Sequence, residues 1–231
     1  LLGVLQQAGV DRLEIPHIGL KEGVLLEMLN DSVAKKKKNR KRQLLNFAKE
    51  LGRKYDYHEQ HAQTVARHSL VLFDQLSALH GLADEYRTLL ELGALLHDIG
   101  QFINYNGHHK HSAYLISACF FVGLNQREQN LVAAIARYHR KSSPKAEHPE
   151  YAAVEDQDRK ALHALAGILR VADALDREHA SLVTGLTLEC KEKEIRLKIE
   201  GSGDLLLERW AVEKKCKLFE EFFDRELVLI D

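Results

Sequence analysis

The sequence predicts a mainly α-helical protein that ends in a small ββαβ unit. Apolar residues recur at helical spacing from Arg42 to about Arg177, with breaks at glycines and in the loop that contains Pro144 and Pro149. After this region the apolar period changes to two in LVTGLTLEC and EIRLKIE, and a helical stretch and the strand-like ELVLI follow. The chain has 231 residues, of which 45% are hydrophobic and 29% are charged, and this composition is typical of a globular protein.

Composition excludes several classes of protein. No apolar run approaches the roughly 18 residues that a membrane-spanning helix needs, and no charged-then-apolar leader opens the chain. The three cysteines, Cys119, Cys190 and Cys216, are isolated and form no CxxC pair. This usage suits a reducing compartment and argues against cysteine-ligated zinc. We therefore expect a cytoplasmic protein with no membrane segment, in which any metal ligands are histidines and carboxylates.

The first 30 residues predict a helix, a strand and a second helix, in LLGVLQQAG, RLEIPHIG and LKEGVLLEML. Three such elements are too few to enclose a core of their own. The chain opens on two leucines, and its only methionine is Met28. We interpret residues 1–30 as the last elements of a domain, and the chain as a fragment of a longer protein.

The segment KKKKNRKR, Lys35 to Arg42, carries seven cations in eight residues, although the net charge of the chain is only −1. Such a run is most often a solvated helix face or a linker, and we interpret residues 31–56 as a basic linker and a helix. The alternative function is an anchor for a polyanion. Because the chain is neutral as a whole and no aromatic residues are interleaved with the run, we expect no specific nucleic-acid binding.

The helical region, residues 57–180, begins with a helix near Tyr57 that carries two inward histidines. His61 and His68 share one stripe of this helix with valine and leucine. Seven residues separate them, about 10.5 Å along the axis, which is too far for both to bind one ion at about 2.1 Å. At most one of them serves a given metal, and the alternative for either is a core histidine satisfied by a hydrogen bond.

A His97-Asp98 pair follows the apolar stripe of a later helix, with Gly100 as the predicted C-cap. The pair lies off the stripe in the last turn, where both side chains reach a cation at the helix end or form an ordinary surface turn. A dipeptide of this kind arises by chance in a chain with this many histidines, so it decides nothing alone. In LVAAIARYHR, His139 again falls on an inward position.

Asp173 is the most informative residue of the helical region. It shares a helix face with Asp176 and with apolar residues, so two carboxylates interrupt a buried stripe. A buried unpaired carboxylate costs several kcal/mol and needs a cation. Arg170 or Arg177 is an equally good explanation for Asp176, whereas a metal is the better one for Asp173. Imidazole and carboxylate without thiolate suit divalent Mn, Fe, Ni, Zn or Mg.

The order His61, His97-Asp98, Asp173 resembles the HD superfamily of metal-dependent phosphohydrolases, which are helical domains named for that pair. HAQTVARHSLVLFDQL is similar to the first helix of the family, and LRVADALDR is similar to its last motif. The choice of His61 rather than His68 rests on this resemblance. HHKHSAYLI and RYHR resemble the extra histidines of two-metal members, which implies His108 and His139. His109 or His111 are alternatives for the position of His108.

A second resemblance covers the whole chain. PHIGLKEGVLLEML, LLHDIGQFINYNGHHKHSAYLI, IARYHRKSSP and LRVADALDREHASLV are similar to the C-terminal part of the exopolyphosphatase/guanosine pentaphosphate phosphohydrolase (Ppx/GppA) family. The resemblance implies an HD-type helical domain in residues 57–180 and a small α/β unit in residues 181–231. It implies that residues 1–30 end a truncated actin-like phosphatase domain, whose phosphate loops and catalytic carboxylate have no counterpart here.

The resemblance also implies a function for the metal site. We expect divalent-metal binding and hydrolysis of a phosphoanhydride or phosphoester bond, with inorganic polyphosphate or a phosphorylated guanosine nucleotide as the substrate and a homodimer as the assembly. Candidate phosphate contacts are Lys110, Arg137, Arg140 and Arg170. One alternative is a noncatalytic module for dimerisation and polyphosphate binding. Another is a stand-alone nucleotide phosphohydrolase of the HD type.

Overall fold

The computed structural model describes the backbone of residues 20–230 and the side chains of residues 35–230. The helix and strand predicted before residue 20 lie outside the described residues. The chain divides into two compact units, residues 1–41 and 42–231. The first described helix, α1, runs without a break over Leu20–Lys54. The basic run Lys35–Arg42 therefore lies on a helix, and all its side chains except Lys41 are exposed.

The second unit is helical up to residue 174. Its helical elements are α2 Glu59–Gln75, α3 Ser77–His80, α4 Asp84–Leu96, a 3-10 turn Ile99–Phe102, α5 His108–Ala118, α6 Gln126–Arg137, α7 Pro149–Ala152 and α8 Asp156–Ala174. Helix α8 is buried on nearly every side from Ala161 onward. A helix that is apolar all round belongs at the centre of a bundle, and α8 packs against α2, α4 and α6.

The last 50 residues form the predicted ββαβ unit. The hairpin of β1 (Val183–Cys190) and β2 (Glu194–Gly201) is antiparallel, and β3 (Glu226–Ile230) pairs with β2 in parallel. The helical stretch between β2 and β3 is two helices, α9 (Leu206–Lys215) and α10 (Lys217–Phe223). Both pack on α8. The mainly α fold with a small α/β tail is confirmed, and the tail brings α9 beside the C-terminal half of α8.

The prediction that Gly100 caps the preceding helix was wrong. Helix α4 ends at Leu96 with His97 as its C-cap, and Gly100 lies inside the following 3-10 turn. A Cβ atom on Gly100 would lie 2.2 Å from the carbonyl oxygen of His108 and 2.3 Å from the amide nitrogen of Ser112. Ser112 Oγ also accepts a 2.9 Å hydrogen bond from the Gly100 amide. Gly100 is needed because the turn that carries Asp98 touches the backbone of α5.

Among residues 20–230 there is no helix that is both long enough and apolar enough to cross a membrane.

Candidate metal centre

Six side chains converge where α2 and the C-terminal half of α8 meet the turns that follow α4 and α6 and the start of α5. They form two groups, and within each group one ligand atom per residue lies within 4.8 Å of the others: His61, His97 and Asp173 in the first group, and Asp98, His108 and His139 in the second. All six residues are those named from the sequence. Five are buried, and Asp98 is half-buried.

The two groups are joined through their carboxylates. In the first group, Asp173 Oδ1 lies 3.5 Å from His61 Nε2 and 3.7 Å from His97 Nε2. In the second group, Asp98 Oδ1 lies 3.0 Å from His108 Nε2 and 3.4 Å from His139 Nε2. His97 Nε2 is also 3.6 Å from Asp98 Oδ2. Every histidine therefore turns its Nε2 atom toward a carboxylate at the centre of the cluster.

The outer Nδ1 atoms of three histidines are fixed by backbone carbonyl groups. His97 Nδ1 lies 2.7 Å from the Ala94 oxygen, and His139 Nδ1 lies 2.7 Å from the Ala136 oxygen. His108 Nδ1 lies 3.0 Å from the Tyr105 oxygen. Because a carbonyl oxygen only accepts, Nδ1 carries the hydrogen in each neutral ring. Nε2 then carries a lone pair that faces inward, which is the arrangement of metal-binding histidines. In His108 this atom also lies 3.2 Å from Arg140 Nη1.

Several polar atoms at the centre have no partner. His61 Nε2, His97 Nε2 and Asp98 Oδ1 are buried and make no hydrogen bond with any described residue. The Nε2 atoms of His108 and His139 lie 3.2 Å apart. Two neutral rings in the tautomer just described would face each other lone pair to lone pair. A cation removes both problems, because buried lone pairs and carboxylates are stabilised by a positive charge. The residues present therefore fit a divalent metal.

The pKa values of the site follow from the same geometry. Burial works against the ionised carboxylates, yet nearby histidines and Lys215 hold the pKa values of Asp98 and Asp173 well below the usual range. Burial also opposes a charge on His61, but the nearby Asp173 carboxylate and the hydrogen bond to Asp176 outweigh it and raise its pKa to about 9. Without a metal, a proton on His61 supplies part of the positive charge that the carboxylates require.

The candidate centre opens onto a cavity of about 620 Å³. Four cationic side chains line it together with the carboxylates, namely Arg140, Arg177, Lys214 and Lys215. A cavity with basic walls beside residues that fit a divalent cation suits a phosphorylated ligand, because positive charges neutralise phosphate.

The family follows from comparison with known proteins. The family model described as Ppx/GppA phosphatase, domain III, matches residues 37–217. The chain belongs to the Ppx/GppA phosphatase family. Relatives named guanosine-5'-triphosphate,3'-diphosphate pyrophosphatase include those of Pseudoalteromonas atlantica, 25% identical over 93% of this chain and 43% of the relative, and of Aeromonas hydrophila, 27% identical over 85% and 38%. The relative of Pseudoalteromonas translucida is 30% identical over 61% of this chain and 27% of its own length.

This Ppx/GppA chain thus spans less than half the length of the curated relatives that it matches. The matched residues 37–217 include all six residues of the candidate centre and the whole of α9. The centre and the cavity beside it therefore lie within the domain III portion of the family.

The predicted alternative for Asp176, an ion pair with Arg170 or Arg177, was wrong. Asp176 accepts hydrogen bonds from His61 Nδ1 at 2.8 Å and from the Ser181 amide at 2.7 Å. It therefore orients a histidine of the candidate centre. Arg170 instead donates to the backbone carbonyls of three residues in the turn after α6, Tyr138, Lys141 and Ser142.

Two residues at the candidate centre were missed by sequence reasoning. Lys215 on α9 donates a 2.5 Å hydrogen bond to Asp173 Oδ2. His179 stacks on His61 with ring centroids 3.7 Å apart, and it forms a third ligand-sized group with His61 and Asp98. His179 had a signal in the sequence, since it follows Asp176 by three residues in LRVADALDREH. Lys215 had none, because 42 residues separate it from its partner.

The structure chooses between alternatives that the sequence left open. Among the histidines at the start of α5, His108 joins a metal-sized group, whereas His109 and His111 belong to none of the groups found among the described residues. His68 is a buried core histidine whose Nε2 lies 3.2 Å from the Val183 carbonyl oxygen. His97, expected off the apolar stripe, is nonetheless fully buried, because the turn after α4 folds back under α5.

The four predicted phosphate contacts have different surroundings. Arg140 lines the cavity, and its Nη1 lies 3.2 Å from His108 Nε2. Lys110 is exposed on α5 and is not among the residues that line the cavity. Arg137 is buried, with Nε 3.3 Å from Glu150 Oε1. Arg170 is held by backbone carbonyls, as described above. Only Arg140 of this set reaches the cavity, and it is joined there by Arg177, Lys214 and Lys215.

Proposed function

We propose that this domain III is an HD-type phosphohydrolase centre that binds one or two divalent cations. The proposed ligands are the six residues of the two groups: His61, His97, Asp98, Asp173, His108 and His139. The single observation that carries the proposal is the inward direction of the Nε2 atoms, because the Nδ1 atoms of His97, His108 and His139 are each committed to a backbone carbonyl. Mn, Mg, Fe, Ni and Zn all accept this combination of imidazole and carboxylate.

A divalent cation held there would lower the pKa of a water molecule and polarise a phosphoryl oxygen. Asp98 is half-buried, and its carboxylate faces His97 of the first group as well as His108 and His139 of its own group. The Gln101 side chain donates to its Oδ2 atom and keeps this carboxylate oriented toward the cluster. Arg140 and Lys214 line the cavity beside it and neutralise the remaining phosphate charge. The proposed reaction is hydrolysis of a phosphoanhydride or phosphoester bond.

The proposed substrate is a phosphorylated guanosine nucleotide or inorganic polyphosphate. The relatives' name, guanosine-5'-triphosphate,3'-diphosphate pyrophosphatase, supports the nucleotide. The chain covers 43% and 38% of those two relatives. Hydrolysis of such a nucleotide by a longer protein that contains this chain is therefore also proposed. We further propose a cytoplasmic location, which is supported by three cysteines that form no disulfide among the described residues.

The test combines metal content with turnover. Purified protein loaded with Mn²⁺ is assayed against guanosine pentaphosphate, polyphosphate and a chromogenic phosphodiester, and bound metal is measured by mass spectrometry. Asp98→Asn should reduce both metal content and turnover at least tenfold, since it removes a charge from the centre. Asp74→Asn is the matched control, because Asp74 pairs with Arg87 on the outer side of α2. Protein that binds no metal and hydrolyses none of the three substrates contradicts the proposal.

A second candidate is a noncatalytic module for homodimerisation and polyphosphate binding. Two observations favour it: the exposed basic face of α1, and the exposed aromatic side chains Tyr114 and Phe120, which are 67% and 86% exposed. Replacing Lys35, Lys36 and Lys38 by glutamine should weaken polyphosphate binding and flatten its salt dependence. Sedimentation of wild type and Phe120→Ser then measures dimerisation. Turnover that is lost in Asp98→Asn excludes this candidate as the sole function.

A further inference from the structure

Trp210 is the only tryptophan of the chain, and it lies on the wall of the cavity beside the candidate centre. Its side chain on α9 is 52% exposed. The apolar residues Leu207 and Ala211 line the same wall, and Tyr105, which is 62% exposed, also lines the cavity. The cavity therefore has an aromatic portion in addition to its charged floor.

Helix α9 fixes the distance between this aromatic portion and the centre. Lys215, at the end of α9, donates to Asp173, so the C-terminal end of the helix is held at the centre. Trp210 precedes Lys215 by five residues, which is about 7.5 Å along the helix axis. Lys214 lies one turn from Trp210 and lines the same cavity. From Trp210 the wall thus passes from aromatic to cationic and ends at a carboxylate of the centre.

This order of surfaces matches the order of groups in a nucleotide. An inorganic phosphate chain has no apolar surface and gains nothing from an indole ring. A nucleoside polyphosphate has a planar base, a ribose and then phosphates. Any nucleobase stacks on tryptophan or tyrosine, because every base has a π-face. The inference rests on the proposed function, since it places the phosphates at the centre described above.

We infer that Trp210 is the stacking platform of a nucleobase subsite in this cavity. In this arrangement the base lies on the indole ring, the phosphates pass Lys214 and Arg177, and the outermost phosphoryl group reaches Asp98 and Asp173. The subsite selects phosphorylated nucleosides over bare phosphate chains.

The single tryptophan makes the inference directly measurable. Titrating Mg²⁺-loaded protein with GTP should quench the intrinsic fluorescence saturably, with excitation at the red edge of tryptophan absorption to avoid absorption by guanine. Inorganic tripolyphosphate is the matched probe, because it carries the same number of phosphates without base or ribose. It should bind without comparable quenching. Equal responses to the two probes would overturn the subsite.

Variants separate stacking from charge. Trp210→Ala should weaken GTP binding on the order of tenfold in calorimetry, while Trp210→Phe restores most of the affinity. The ratio of GTP to tripolyphosphate affinity should fall by the same factor in Trp210→Ala. Phe120→Ala removes another exposed aromatic ring, one that does not line this cavity, and should leave that ratio unchanged. A ratio that is insensitive to Trp210→Ala refutes the subsite.

The outcomes for this subsite and for the proposed hydrolysis are distinct. Protein that binds GTP through Trp210 but hydrolyses nothing supports the subsite and contradicts the hydrolase. If the protein hydrolyses polyphosphate but Trp210→Ala leaves the ratio of GTP to tripolyphosphate affinity unchanged, the hydrolase is supported and the subsite is contradicted. If α9 instead packs against another protein chain, sedimentation shows an oligomer that Trp210→Ala dissociates, and GTP has no effect on the fluorescence. That result also overturns the subsite.

Discussion

His108 and His139, which come from different helical segments, bring their Nε2 atoms to within 3.2 Å of each other. Their Nδ1 atoms are engaged with the carbonyl oxygens of Tyr105 and Ala136, and Asp98 Oδ1 lies 3.0 and 3.4 Å from the two Nε2 atoms. Arg140 Nη1 lies 3.2 Å from His108 Nε2, but the His139 lone pair and the Asp98 carboxylate that face this atom still require a proton or a metal between them. The pair is therefore the most direct indication of a second metal position.

We predict that His139→Gln reduces the metal content from two ions to one per chain. The substitution removes a ligand of the second group and leaves His61, His97 and Asp173 in place. Mass spectrometry of protein reconstituted with Mn²⁺ measures the stoichiometry. His163→Gln is the control, because His163 lies on α8 outside the candidate groups. An unchanged stoichiometry in His139→Gln would argue against the second position.

We predict that Lys215→Met strengthens metal binding about tenfold and destabilises the metal-free protein. The ammonium group donates to Asp173 Oδ2 and competes with a metal for that carboxylate. Without it, the buried carboxylate of metal-free protein loses a compensating charge. Calorimetry gives the affinity, and urea unfolding with a chelator gives the stability. Lys214→Met removes the same charge from the adjacent residue and should change both quantities less. Weaker metal binding in Lys215→Met would show that the lysine supports the site instead.

We predict that Gly100→Ala lowers the free energy of unfolding by more than about 3 kcal/mol and abolishes metal binding. The new Cβ atom would meet backbone atoms of His108 and Ser112, which cannot move without displacing α5. Gly81→Ala is the control: Gly81 has φ +60° but nothing within 4 Å of a Cβ atom, so its cost is about 1 to 2 kcal/mol. Similar losses in the two variants would contradict the close-approach explanation.

We predict that His68 contributes to acid destabilisation. Burial lowers its pKa to about 4, against a hydrogen bond to Val183 that favours the charged form. Below about pH 6.5 His68 is protonated in the unfolded chain but remains neutral in the folded chain. The free energy of unfolding therefore falls as the pH falls toward 4. The loss is about 2 kcal/mol between about pH 7.5 and about pH 5.

His68→Leu should remove that part of the pH dependence. Urea unfolding at the two pH values, in the presence of a chelator, measures the difference. The matched control is Gln75→Leu, which removes another α2 side chain bonded to β1 without removing a titratable group. The control should keep the wild-type dependence on pH. If the free energy of unfolding of His68→Leu falls between the two pH values as steeply as that of wild type, the acid sensitivity belongs to other groups.

Much of the candidate site was accessible from the sequence. Helical periodicity placed His61, His139 and Asp173 on inward faces, and the resemblance to the HD superfamily added the His97-Asp98 pair and His108. The structure brings all six together. The fold class was equally accessible, because the change of apolar period near residue 183 separates the helices from the ββαβ unit.

The sequence by itself determined which helix faces are buried and which of them carry polar groups, because both follow from the 3.6-residue period of a helix. Only the tertiary structure decided which groups meet. It selected His108 over its neighbours, added His179, and brought Lys215 and Trp210 to the cavity through the packing of α9 on α8. Such meetings depend on contacts between segments far apart in the chain, and no local spacing records them.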